Sequence, residues 1–399
     1  MAAGNRSLTF AALSRDVSAA AAMPRLILEC ARAHPDPDEL RRLSGLCPDW
    51  GRLIESAQRQ RVAPLVFWAL NRACPDAVPP EAMAVLRTGF RQNISRNLIL
   101  ADELLRLLEL FDGAGIQAVP FKGPALAWPL YETPGLRRMS DLDLLVPRDD
   151  VRRAIDLATS NGYRRVGPRI GMEFFADGGQ LILRRADGKL DIDLHWRLAA
   201  AHFDPLDAAE IRARLTPIDL SGRRMPTFCP EDLLTFLCMH GAKHGWDSLA
   251  ELCDLDRLID VRRLDWDAIL SRAARRRMSR MVSLGLCLAQ DLLGSNLPPE
   301  VSSRIHADAR AVALAASVCA RLQDGRVWSP QDLLIFRFRL MEGARRKSRF
   351  LRHLSRPTPT DWRFLGIPEC MFPVYYLTRP IRLVWKWCVR PILNPSRGA

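Results

Sequence analysis

Asp141 and Asp143 stand one residue apart in Ser140-Asp141-Leu142-Asp143-Leu144-Leu145-Val146, a run that alternates and then turns apolar, as a strand with one buried face does. On a strand both carboxylates project from one face, about 7 Å apart. Hard oxygen donors at that spacing suit a divalent cation such as magnesium, which is commonly held by one or two carboxylates plus substrate phosphates. A D-x-D alone is equally compatible with a half-exposed strand whose polar face is acidic. A second run shifts that balance. Asp191, Asp193 and His195 alternate with Leu190, Ile192 and Leu194, which puts more carboxylates on one face of a strand expected in the same sheet. Like charges on adjacent strands destabilise a sheet unless a cation neutralises them, so the pattern predicts a metal. By the same reasoning, Asn at position 141 or 143 should leave the metal-free fold intact or more stable.

Only five of the 58 basic residues are lysines, and Lys122 sits at a glycine turn, Lys122-Gly123-Pro124, ahead of a predicted helix. Backbone amides and the helix dipole favour phosphate at such a turn, the plain alternative being a solvated lysine. His240, Lys243 and His244 fall at i, i+3 and i+4 and share one helix face. Gly241 excludes the His-Glu-x-x-His pattern of zinc proteases, leaving a polar face directed at nucleotide or solvent.

Positioning these groups requires an α/β segment between helical ones. Apolar residues at helical spacing, broken by prolines, run over residues 1–95, and a leucine-rich helix pattern covers Leu98–Phe111. A strand over Ile116–Phe121, a helix over Ala125–Tyr131, the D-x-D strand and a helix over Asp149–Ser160 follow. Gln180–Arg185 and Lys189–His195 flank Asp187-Gly188, a strong hairpin signal. From Pro230 the spacing is helical again. The expected division is a helical region 1–95, an α/β core 96–222, a helical domain 223–330 completing the cleft, and a basic helical region 331–399.

A chain of 399 residues has length for two or three domains, and 48% hydrophobic with 26% charged residues excludes disorder as the main state. Ten cysteines without a C-x-x-C pair read as buried thiols in a reducing compartment, and the N-terminus lacks the layout of a signal peptide, which points to the cytoplasm. The net charge of +13 is uneven: residues 331–399 carry +10 and residues 1–330 only +3. A nearly neutral body argues against an enzyme tracking long nucleic acid. The segment 366–399 interleaves Trp385, Trp387 and aliphatics with Arg382, Lys386 and Arg390. It predicts peripheral contact with an anionic membrane, at the inner membrane face, the alternative being a terminal helix packed on its own core.

Three blocks carry a family resemblance: Phe121-Lys122-Gly123-Pro124-Ala125-Leu126-Ala127, Gly135 through Val146, and Asp193-Leu194-His195-Trp196-Arg197-Leu198. With His240 through Trp246, Cys253-Asp254-Leu255 and Pro357 through Trp362, they make the chain resemble, over roughly residues 20–390, an uncharacterised bacterial nucleotidyltransferase family of the DNA polymerase beta-like superfamily. The resemblance implies an α+β fold, a small mixed β-sheet core flanked by helical regions. It implies transfer of a nucleoside monophosphate from an NTP, expected to be ATP, to a hydroxyl or phosphate of a small-molecule, peptide or protein acceptor. Asp141, Asp143 and Asp193 would hold Mg2+ or Mn2+, with Asp191 in reserve as third carboxylate. Lys122, Gly123, Arg137, Ser140, His240, Lys243 and His244 are the expected nucleotide contacts, Lys122-Gly123-Pro124 replacing the superfamily's usual Gly-Ser. Two rivals are a D-x-D glycosyltransferase, which should open with βαβ units, and a catalytically silent scaffold docked on an anionic surface.

Overall fold

The computed structural model describes residues 19–166, 179–200, 203 and 206–354. Helices α1 (Ala19–Ala31), α2 (Pro37–Gly45), α3 (Trp50–Arg59) and α4 (Ala63–Ala73) precede the 34-residue α5 (Pro80–Gly113). Asp36 and Asp49 cap α2 and α3 by accepting from otherwise orphaned first-turn amides. Helix α5 runs unbroken through position 95 and into the α/β core. Asn93 and Asn97 on it donate to the carbonyls of Gly135 and Arg137, fixing the loop that delivers the D-x-D strand.

The core follows as β1 (Val119–Pro120), α6 (Pro124–Leu130), β2 (Asp141–Leu145), α7 (Val151–Ser160), β3 (Tyr163–Val166), β4 (Gln180–Arg185) and β5 (Asp191–His195). These strands form one sheet in the order β1-β2-β5-β4-β3. Strands β2 and β5 are parallel and the other pairs antiparallel, so the sheet is mixed and the fold α+β. Leu142, Leu144, Ile192 and Leu194 are buried on one face of the central pair. That burial fixes the register, since a slip by one residue would turn carboxylates into the core. Strand β1 is shorter than the expected 116–121 run; Pro120 lacks the N–H needed to continue a ladder. Among the described residues a single parallel pair is present, which gives no support to the βαβ units of a nucleotide-sugar fold.

Helix α8 (Ala208–Arg212) leads to a second hairpin, β6 (Thr216–Leu220) and β7 (Arg223–Thr227), which the sequence reading passes over. Its turn, Ser221-Gly222, has φ of 55° and 83°, the left-handed pair a two-residue hairpin loop requires. Thr227 Oγ1 donates to the Pro120 carbonyl at 2.7 Å and fastens this hairpin to β1. The described residues that follow are helical: α9 (Pro230–His244), α10 (Leu249–Val261), α11 (Trp266–Arg275), α12 (Ser279–Leu288), α13 (Pro299–His306), α14 (Ala309–Asp324), α15 (Pro330–Leu340) and α16 (Ala344–Leu354). The eight described cysteines are free, six of them buried. No helix among the described residues is long and apolar enough to cross a membrane. The segment 366–399 lies outside the described residues.

Candidate functional site

The parallel register sets Asp141 opposite Asp191, Asp143 opposite Asp193, and Leu145 opposite His195. Each pair shares a face, so the two alternating runs merge into one row of acids and a histidine. Asp143 lies deepest, 4% exposed. Lys122 Nζ is 3.5 Å from its Oδ1 and His195 Nε2 is 3.1 Å from the same atom. Burial opposes the charged form of Asp143, but Lys122 and the hydrogen bond from His195 outweigh it and hold the carboxyl at about 2. The His195 ring is seated edge-on against Phe121, which stacks on Phe228 at 4.9 Å and meets Phe236 edge-on. Hence the aromatic cluster between β1 and α9 orients the histidine that orients Asp143.

Asp193 has the opposite balance. Burial and the neighbouring Asp143 charge push its carboxyl up to about 6, with Gln180 Nε2 donating to Oδ2 at 3.2 Å. One oxygen each from Asp143 and Asp193 and a ring nitrogen of His195 lie within 4.8 Å of one another, so this buried group could hold a metal ion. The donor set fits a hard divalent cation: two carboxylate oxygens, one destabilised by the other's charge. Asp141 stands on the same face one register step away, its Oδ1 accepting from Ser140 Oγ at 3.0 Å. Asp191 is engaged elsewhere, in a bidentate pair with Arg184 at 2.7 and 2.8 Å.

Removing charge from this row therefore has two signs, not the single one the sequence pattern suggests. Asp193 titrates higher in the fold than its ordinary 3.8, so its ionisation weakens the metal-free protein as pH rises from 3.8 through 6. Asp193→Asn should raise metal-free stability by about 1–3 kcal/mol at pH 8 and by nothing measurable below pH 4. Urea unfolding of both proteins with EDTA at the two pH values checks this; an equal gain at both would refute it.

Helix α9 brings further positive charge within electrostatic reach of Asp143 and Asp193. Lys243 is partly buried, and burial together with Lys122 and Arg337 lowers its pKa. Arg337 Nε donates to the Lys243 carbonyl at 2.7 Å, a contribution from α15 that sequence spacing could not reveal. His240 and His244 share the expected face, their rings 4.6 Å apart. Burial and these cations keep both neutral, His244 at about 3. Glu251 on α10 approaches His240 at 3.8 Å; burial and Asp247 push its carboxyl up to about 8. Gly241 cannot be replaced without a shift, because a Cβ there would stand 2.5 Å from the Trp246 ring. Gly123 has φ 55° and passes close to β2, where an added Cβ would meet the Asp141 carbonyl at 3.3 Å.

Arg137, an expected nucleotide contact, is engaged with α10, and its charge also helps to lower the Asp143 carboxyl. Its Nε and Nη2 donate to Asp254 on α10 at 2.8 and 2.9 Å, and Tyr131 Oη donates to the same carboxylate at 2.7 Å.

A family described as uncharacterised nucleotidyltransferase matches residues 47–294, a span holding the carboxylate row, Lys122 and both α9 and α10. The chain belongs to this family. Membership supports a transferase that takes a nucleotide and an acceptor. Among solved structures, the chain is similar to an antigenic nucleotidyltransferase-like protein from Paracoccidioides brasiliensis, 15% identical over 55% of this chain and 93% of that one, with a TM-score of 0.31. No curated protein matches the sequence.

Proposed function

We propose that this protein transfers a nucleoside monophosphate from an NTP, with ATP the expected donor, to a hydroxyl or phosphate of an acceptor. The reading is carried by one observation: the Asp143–Asp193 carboxylate pair has Lys122 at 3.5 Å from Asp143 and Lys243 within electrostatic reach of both aspartates, with Arg337 bonded to the Lys243 carbonyl. Cations gathered there repel one another until an anion of several charges lies between them, and a triphosphate is such an anion. Asp143, Asp193 and Asp141 would hold Mg2+ or Mn2+, which when bound supplies charge neutralisation at the phosphates and acidifies an oxygen it contacts.

Each side chain then has a separate duty. Asp143, held ionised by Lys122 and His195, is the permanent negative ligand. Asp193, at about 6, can take the proton of an attacking hydroxyl near neutral pH. Lys122 and Lys243 hold the triphosphate in line, with Gly123 and Ser140 beside it and His240 and His244 neutral donors at its edge. The four regions 1–95, 96–222, 223–330 and 331–399 serve as the proposed domains, the second and third forming the cleft. The protein is proposed to act in the cytoplasm.

Melting curves with each NTP, with and without Mg2+, test the reading. Saturating ligand at 100 times its Kd should stabilise the protein by about 2.7 kcal/mol and raise Tm by several degrees only when both are present. No metal-dependent shift with any NTP would leave the silent scaffold standing.

A further inference from the structure

Next to Asp141 a groove of about 1080 Å3 opens between helices α3–α5 and the turn joining β4 to β5. Its walls combine two chemistries. Val85 and Ile99 on α5 are 51% and 56% exposed, over a floor that includes Leu86 and Phe90. Around this apolar strip stand Arg61, Arg96, Arg138 and Lys189, all exposed and none in an ion pair within 4.0 Å among the described residues, although Asp187 accepts from the Lys189 amide at 3.0 Å. The acid lining the groove, Asp187, is taken by Arg185 at 2.7 Å.

The groove lining reaches Ser140, the neighbour of Asp141, and two of the rim cations are linked towards the carboxylate row. Arg96 Nη2 donates to the Ser140 carbonyl at 3.2 Å, and Ser140 Oγ donates to Asp141. Arg61 has a left-handed backbone, φ 59°, in a turn pinned by Ser248 Oγ and the Leu249 amide donating to Gln60. Its charge is felt by His244 and Glu251, which also feel Lys122. That left-handed conformation closes α3, the Arg61 and Val62 amides donating to the Gln58 and Ala57 carbonyls, and it sets the Arg61 side chain at a fixed point on the rim.

We propose that this groove holds the acceptor, and that the acceptor is an anionic amphiphile: a molecule with an apolar body lying along α5 and a phosphate or carboxylate gripped by Arg61, Arg96, Arg138 and Lys189. The inference rests on the nucleotidyl-transfer reading above. The acceptor's hydroxyl oxygen forms a bond to the α-phosphorus, the bond from that phosphorus to the bridging oxygen breaks, pyrophosphate departs with the electron pair, and the proton passes to Asp193. Nucleic acid fits the groove less well, since Phe90 is the aromatic residue lining it and base stacking needs exposed ring faces. The chain's own residues 355–399, with seven Arg and Lys against two acids, have the wrong charge for this wall.

Titration calorimetry on the full-length protein with decyl phosphate, below its micelle concentration, tests the proposal. Decyl phosphate should bind saturably, with decanol and inorganic phosphate each at least tenfold weaker. Arg96→Ala/Arg138→Ala and, separately, Val85→Ser/Ile99→Ser should each weaken it at least tenfold while leaving the Mg-NTP melting shift in place. Absence of saturable binding, or an affinity in either double variant equal to that of the unaltered protein, overturns the proposal. So does a ten-nucleotide RNA that binds more tightly than decyl phosphate and loses affinity in the arginine variant, which would make the groove a nucleic-acid site. Loss of the Mg-NTP shift in the unaltered protein strikes the transfer reading instead and leaves decyl phosphate binding unaffected.

Discussion

Asp143→Asn will abolish nucleotide transfer, with a fall of about 10³-fold or more, and will remove the metal-dependent part of NTP binding. The substitution preserves size and an oxygen for His195 to bond, but deletes the carboxylate that Lys122 and His195 hold ionised. It also costs stability. The Asp143 carboxyl lies at about 2 against an ordinary 3.8, so its contribution is complete above pH 3.8 and is lost as pH falls through 2. The Asn variant should be weaker by about 2 kcal/mol at pH 7, with the gap closing towards pH 2, because Lys122 and His195 lose the charge they surround. Asp193→Asn moves stability the other way while also damaging transfer. Asp191→Asn, which breaks only a half-exposed pair with Arg184, should shift stability by about 1 kcal/mol or less and leave Mg-NTP affinity unchanged. Transfer of labelled nucleotide, NTP titration and urea unfolding on these variants separate the roles. Wild-type transfer by Asp143→Asn would dismiss the carboxylate site.

Arg137→Met will unfold the protein more readily without weakening nucleotide binding by the folded form. Arg137 and Asp254 form a buried bidentate pair joining the loop before β2 to α10, and Tyr131 completes it. Removing the guanidinium strands a buried carboxylate, a loss of about 3–5 kcal/mol. At roughly 2–4 °C per kcal/mol the Tm should fall by about 10 °C. Below that transition the Kd for Mg-NTP should change less than about threefold, whereas a direct phosphate ligand would cost tenfold or more. Arg137→Met/Asp254→Leu should recover most of the lost stability, since no unpaired charge is left behind. A large rise in Kd with unchanged Tm would return Arg137 to the triphosphate.

What local periodicity can reveal, it revealed here. The period of two in Asp141–Val146 and Leu190–His195 puts the acids and His195 on common faces, Asp187-Gly188 announces the hairpin, and i, i+3, i+4 spacing aligns His240, Lys243 and His244. Family membership was legible in the same blocks. Everything that gives those residues unequal parts came from contacts between distant segments. Asp143 faces Asp193 because burial of Leu142, Leu144, Ile192 and Leu194 locks two strands some fifty residues apart into one register. His195 joins the two aspartates, and Lys122 meets Asp143, only once that register exists. Arg137 and Asp254 are separated by 117 residues, and Arg337 reaches Lys243 from 94 residues away. Spacing along a chain reports which face a side chain takes, because backbone geometry is local; which charge it meets there depends on how the apolar faces of different elements pack, and that is settled only when the whole core closes.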